Sequence, residues 1–185
     1  MKNANPVASA SDIALRTAFR EPRAFGSADE IESLRERVNK LSANGIVEFA
    51  LSRYRSRIAV ISSFGSESAI LLHIAAEIDP TVPILFLNTG KLFGETLRYR
   101  DRLQETLGLT DVRAIGPHPK DILQTDKEGT LWKGNPNACC HIRKVLPLRR
   151  ALKGFDAQIN GRKRFQTAQR AHQRLITVTV IESLQ

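Results

Sequence analysis

Short apolar runs rich in β-branched residues alternate along this chain with longer segments of helical period. Ile58-Ala59-Val60-Ile61 and, after Pro83, Ile84-Leu85-Phe86-Leu87 are runs of the kind that form strands buried on both faces. Between them the spacing predicts a helix over 66–78, with Ile70, Leu71, Ile74 and Ile78 on one face. Upstream, Ser27 before Ala28, Asp29 and Glu30 reads as an N-cap opening a helix to about Leu41, and a second helix is expected over 44–54. Downstream, 96–107 forms a third amphipathic segment closed by Gly108, 111–115 a weaker strand, and 120–127 another helix. A further helix is expected over 139–152, disturbed at Pro147, and then a strand over 155–159. Strand and helix alternating in this way predict an α/β layer fold around a mostly parallel sheet. Residues 1–27, rich in Ala, Ser, Asn and Pro without a sustained period, are expected to be a flexible N-terminal extension.

Composition narrows the class. With 185 residues, 42% of them hydrophobic and 25% charged, the chain has enough apolar material for one globular core. No apolar run approaches the roughly 18 residues of a membrane span, and no secretory signal pattern opens the sequence, so a cytoplasmic protein is expected. The net charge of +9 is unevenly placed. Residues 1–140 carry 18 Lys and Arg against 17 Asp and Glu, whereas residues 141–185 carry 10 basic residues against Asp156 and Glu182 alone. Such local concentration fits a pocket for a small anionic ligand at least as well as it fits a nucleic acid. The two cysteines, Cys139 and Cys140, are adjacent, which excludes a disulfide scaffold and favours metal binding or catalysis.

Two turns carry the candidate chemistry. Ser62-Ser63-Phe64-Gly65-Ser66-Glu67-Ser68 leaves the first strand and opens a helix. Amides at a helix N-terminus, small residues and hydroxyl donors together make a phosphate or sulfate cradle, although an ordinary capped turn has the same composition. It is not a Walker loop, because the Gly-Lys-Ser/Thr ending is missing. Leu87-Asn88-Thr89-Gly90-Lys91 follows the second strand, and polar turns after neighbouring parallel strands face one crevice.

Four blocks together resemble a known family. They are Ser63-Phe64-Gly65-Ser66-Glu67-Ser68; Leu87-Asn88-Thr89-Gly90 with Phe93, Glu95, Thr96, Tyr99, Arg100 and Asp101; Cys139-Cys140-His141-Ile142-Arg143-Lys144-Val145-Leu146-Pro147-Leu148; and Gly161-Arg162-Lys163-Arg164-Phe165-Gln166 with Arg170. In order and spacing they resemble the adenylyl-sulfate and phosphoadenylyl-sulfate reductases of assimilatory sulfate reduction, and the paired cysteines followed by Arg-Lys resemble the bacterial iron-sulfur branch. The resemblance implies a three-layer PP-loop fold, similar to the adenine nucleotide α hydrolases, with a mostly parallel sheet. It implies thioredoxin-dependent reduction of adenylyl sulfate, or phosphoadenylyl sulfate, to sulfite and AMP, or PAP, in cysteine biosynthesis, and admits a homo-oligomer. By the same match Ser63, Gly65, Ser66 and Ser68 would hold the phosphosulfate, Leu87 and Asn88 the adenine, with Thr89 and Gly90 shaping that turn. Arg164 and Arg170 would clamp the anion. Cys139 and Cys140 would be two of the four ligands of a 4Fe-4S cluster, with Lys144 as a catalytic positive charge between cluster and substrate.

The chain departs from that family in identifiable places. The downstream Cys-x-x-Cys and the Glu-Cys-Gly that carries the catalytic cysteine are absent, and after about Ala171 the likeness fades. The expectation is therefore a reductase domain over 28–171, a divergent tail over 172–185, a fold incomplete at the C-terminus, and a truncated chain that is inactive alone. Asn88 stands where the family usually has Asp, Gly94 where it has Pro, and Gln158 where it has an aromatic residue. Two other classes compete. A PP-loop nucleotidyltransferase or ATP pyrophosphatase needs no paired thiols. A basic nucleic-acid-binding module predicts aromatics interleaved with the basic residues, and Phe165 is alone in the stretch 162–174.

Overall fold

The computed structural model describes residues 27–163 together with 168, 171, 172, 174 and 176. Two helices lead in, α1 (Ala28–Val38) and α2 (Ala43–Tyr54), each started by a serine. Ser27 Oγ accepts from the Glu30 amide at 3.3 Å and Ser42 Oγ from the Gly45 amide at 3.2 Å, so each cap satisfies an amide the helix leaves unpaired. There follow β1 (Ile58–Ser62), α3 (Ser68–Ile78), β2 (Ile84–Leu87), α4 (Gly94–Leu107), β3 (Val112–Ile115), α5 (Pro119–Thr125), α6 (Leu131–Gly134) and α7 (Pro136–Cys140). A π turn (His141–Val145), α8 (Leu146–Ala151) and β4 (Ala157–Asn160) complete the described elements.

The four strands form one sheet in the order β3-β2-β1-β4, with every neighbouring pair parallel. Helices cover both faces. Alternate residues Ile58, Val60, Ile84 and Phe86 pack against Val47 and Leu51 of α2 and Leu72 and Ala75 of α3, with Leu97, Leu103 and Leu107 of α4 at the margin. On the other face Ala59 and Leu85 meet Leu148, Ala151 and Leu152 at the end of α8. This is the expected α/β three-layer arrangement, and its period-2 division of the apolar runs is what burial on both sides requires.

At the amino ends of β1 and β4 an Arg57–Asp156 fork fixes the pairing: Nε donates to Oδ2 at 2.6 Å and Nη2 to Oδ1 at 2.7 Å. Beyond β4, Arg174 Nη1 reaches Glu32 Oε2 at 3.3 Å and Arg35 Nε donates to the Ile176 carbonyl at 3.3 Å, so Arg174 and Ile176 meet α1.

Three expectations are corrected. The inward face of α3 is Leu72, Ile74 and Ala75, while Ile70 is 66% exposed and Ile78 38%. All but Ser68, His73 and Glu77 of this helix are apolar, so several faces satisfy the same period. The single helix expected over 139–152 is three joined segments. The disturbance at Pro147 is a π turn just before it, in which the Leu146 amide donates to the His141 carbonyl, five residues back. The short helix α6 had no periodic signal and was not expected.

Candidate active site

The strand order reverses between β1 and β4, and ligands of open parallel sheets bind beyond the carboxyl ends of the strands at such a point. The first wall is the turn after β1. Ser62 Oγ accepts from the Phe64 amide at 3.0 Å, bending the chain as it leaves the strand. Phe64 adopts φ of +51°, in the left-handed region that costs a side-chain-bearing residue energy. Its ring is buried and meets Phe86 edge to face, centroids 5.3 Å apart and planes at 87°. The buried ring holds the bend, which leaves Ser63, Gly65 and Ser66 exposed and Ser68 half-buried at the start of α3. There the Ser68 amide donates to the Gly65 carbonyl at 2.8 Å.

The second wall is the turn after β2, braced on every side. The Asn88 amide continues the ladder to the Ile115 carbonyl at 2.8 Å. Asn88 Oδ1 accepts from the Gly90 amide at 3.1 Å, and the buried Thr89 Oγ1 accepts from the Lys91 amide at 3.3 Å. Gly90 has φ of +71°, which suits glycine. Gly116, after β3, lies so close beneath that a Cβ there would be 2.7 Å from the Asn88 carbonyl oxygen. Lys91 Nζ donates to the Gly129 carbonyl at 2.8 Å and ties the turn to the α5–α6 connection.

Between β4 and β1 the Lys163 ammonium lies 3.0 Å from Glu67 Oε2, so the two loops flanking the reversal point meet. Of the remaining expected site residues, Cys139 is half-buried and Cys140 exposed, both as free thiols, and Lys144 is exposed beside them in the π turn. Leu87 is half-buried at the end of β2. Arg164 and Arg170 lie outside the described residues. Asn88, which stands where the family usually has Asp, engages its side-chain carbonyl oxygen within the turn.

One element of the site was missed: Arg143 and Asp126. The Arg143 side chain is buried; Nε and Nη2 donate to Asp126 Oδ2 at 3.1 and 2.5 Å, and Nη1 donates to the Thr89 carbonyl at 2.8 Å. The Leu131 amide donates to Asp126 Oδ1 at 2.8 Å. These two donors, the amide first and then the guanidinium, hold the Asp126 carboxyl below the usual aspartate range. Helical period could have found Arg143: with Cys139, Ile142, Leu146 and Pro147 it falls on the inward stripe, all five being buried or half-buried. Asp126 carries no comparable signal.

Crevice, Ser/Gly turn and braced polar turn thus lie together at the carboxyl ends of the strands of a parallel α/β sheet. The chain belongs to the phosphoadenosine phosphosulfate reductase domain family, whose model matches residues 57–180. The adenosine 5′-phosphosulfate reductase of Chelativorans sp. (strain BNC1) is 41% identical over 153 residues, covering 82% of this chain and 62% of that protein. That of Mesorhizobium japonicum is 49% identical over 118 residues, 64% of this chain and 46% of that protein. The chain thus spans between about half and three fifths of the length of these relatives. The crystal structure of the phosphoadenylyl-sulfate (PAPS) reductase from Candida auris, a phosphate complex, shares the fold with a TM-score of 0.66 at 20% identity, over 75% of this chain and 70% of that one.

Proposed function

We propose that this chain is the nucleotide- and anion-recognising part of an enzyme that reduces adenylyl sulfate, or its 3′-phosphorylated form, to sulfite, with AMP or PAP as the other product. The observation that carries the reading is the serine turn bent around Phe64 at the carboxyl end of β1, beside the reversal of strand order, in a chain of this family. Ser63, Gly65, Ser66 and Ser68 take the phosphosulfate at the start of α3, where the helix dipole favours negative charge. Leu87 and Asn88 border the adenine, and Thr89 and Gly90 shape that edge. Lys144, Arg164 and Arg170 supply positive charge to the anion.

The chemistry needs a thiolate. It attacks the sulfate sulfur, the S–O bond to the phosphate breaks with its electron pair leaving on AMP, and a thiol exchange with thioredoxin in the cytoplasm then releases sulfite. The 185 residues hold two cysteines, both in the adjacent pair assigned to metal ligation. A 4Fe-4S cluster bound wholly through cysteine needs four thiolates. Cys139 and Cys140 therefore do not complete such a site by themselves, and no step is assigned to a cluster in this chain.

Calorimetric titration with adenylyl sulfate and with ATP tests the recognition. Saturable binding of adenylyl sulfate in preference to ATP is expected; preference for ATP would return the chain to the nucleotidyltransferases. In an assay with reduced thioredoxin no sulfite should form, and appreciable sulfite would sink the assignment of both thiols to ligation.

A further inference from the structure

Arg143 is an unusual group to find in the interior. Removing two charges from water offsets much of their attraction, so a buried ion pair contributes little net stability. What a guanidinium does supply is a rigid planar fork that fixes several acceptors at once. Here those acceptors lie on two segments remote in sequence: the Asp126 carboxylate, between α5 and α6, and the Thr89 carbonyl, in the turn after β2. Arg143 itself stands on the π turn that continues from Cys139 and Cys140. The other braces of the β2 turn hold its side chains and amides, whereas Arg143 takes the main-chain carbonyl at its apex. A Cβ on Gly90 would lie 3.5 Å from Arg143 Nη1, so the guanidinium also lines the inner side of the turn.

We propose that Arg143 is a positioning residue that sets the geometry of the nucleotide turn Asn88–Gly90 from the helix carrying the paired cysteines. A displacement of that helix moves the guanidinium and with it the Thr89 carbonyl, so the state of the thiol pair and the shape of the adenine edge are mechanically joined. The inference rests on the reading of this turn as nucleotide-binding.

The test uses the 185-residue chain and the double variant Arg143→Met with Asp126→Leu, which replaces the ion pair by apolar side chains and is expected to retain global stability in urea. The backbone order parameters of Gly90 and Lys91 should fall from about 0.85 to below about 0.6 while Val60 stays rigid, and affinity for AMP should drop at least about tenfold. Unchanged order parameters with AMP affinity within about twofold of the wild type overturn the proposal. If the wild-type chain binds no AMP, the nucleotide reading falls, and the order parameters alone decide the positioning role. If the double variant does not fold, Arg143→Lys is measured in the same way. A single ammonium nitrogen lacks the spread of the three guanidinium nitrogens that span the carboxylate and the Thr89 carbonyl, so the same loosening is expected, and a rigid turn in that variant overturns the proposal.

Discussion

Phe64 combines two opposed contributions, and substitution can separate them. Truncating a fully buried phenylalanine to alanine costs about 3–5 kcal/mol, including the loss of an edge-to-face partner worth about 0.5–1.5 kcal/mol. The backbone at φ of +51° adds a second term, because any Cβ in the left-handed region costs roughly 1–2 kcal/mol and glycine escapes it. Phe64→Ala keeps that cost. Phe64→Gly loses it but gives up about 0.5–1 kcal/mol of unfolded-chain entropy. The glycine variant should therefore equal the alanine variant or exceed it by up to about 1.5 kcal/mol, the reverse of the order at an ordinary position. With a urea slope of about 2 kcal/mol/M, both midpoints should fall by roughly 2 M, which far-UV circular dichroism reads directly. A loss below about 1 kcal/mol in the alanine variant would show that the ring does not anchor the turn. An alanine variant more stable than the glycine variant by about 1 kcal/mol would show that the backbone there is not strained.

Three other outcomes are expected. Arg55, exposed and at φ of 45° and ψ of −125° after α2, should tolerate glycine with a gain of about 1 kcal/mol in urea unfolding, since relief of strain of about 1–3 kcal/mol exceeds the entropy glycine adds; a loss of stability refutes it. Asp126 titrates below the usual aspartate range, so its contribution is complete above that range and is lost as pH falls through the lowered folded-state value. Asp126→Asn should accordingly flatten the acid limb of a stability-against-pH curve, and an unchanged limb counts against the pairing. Gly116→Ala should push the Asn88 carbonyl aside at a cost of about 1–3 kcal/mol and weaken AMP binding more than a comparable substitution at Gly154, where a Cβ meets open space; equal effects at the two positions contradict the close approach.

The sheet is legible in the sequence because its strands are short β-branched runs: the bounds of β2 coincide with its apolar run, and β1 extends one residue beyond its own. The close of α4 at Gly108 was equally clear. Legibility failed where a local rule had more than one solution. In α3 the apolar residues surround the axis, so period alone could not say that Ile70 faces out. At Pro147 the missing amide announced a disturbance, but not that the preceding turn would absorb it by widening. The two turns announced themselves by composition and by resemblance, whereas the Arg143–Asp126 pair joins residues 17 apart across a connection without periodicity. Arginine composition argues for the surface, and only tertiary packing reversed that.

The Arg57–Asp156 fork also has a kinetic consequence. It joins residues 99 apart in sequence, and the whole of β4 pairs with β1 across a comparable separation, whereas β1, β2 and β3 find one another over far shorter loops. Closing the longer loop costs more chain entropy before any contact rewards it. The three-stranded half should thus assemble first, with the β1 edge bare until β4 arrives, and the pulse-labelled amide of Ile159 should gain protection after those of Leu85 and Phe86. The crevice at the reversal of strand order would then be the last part of the sheet to exist, and any nucleotide that bridges its two sides would act on the folding equilibrium chiefly by holding that final strand in place.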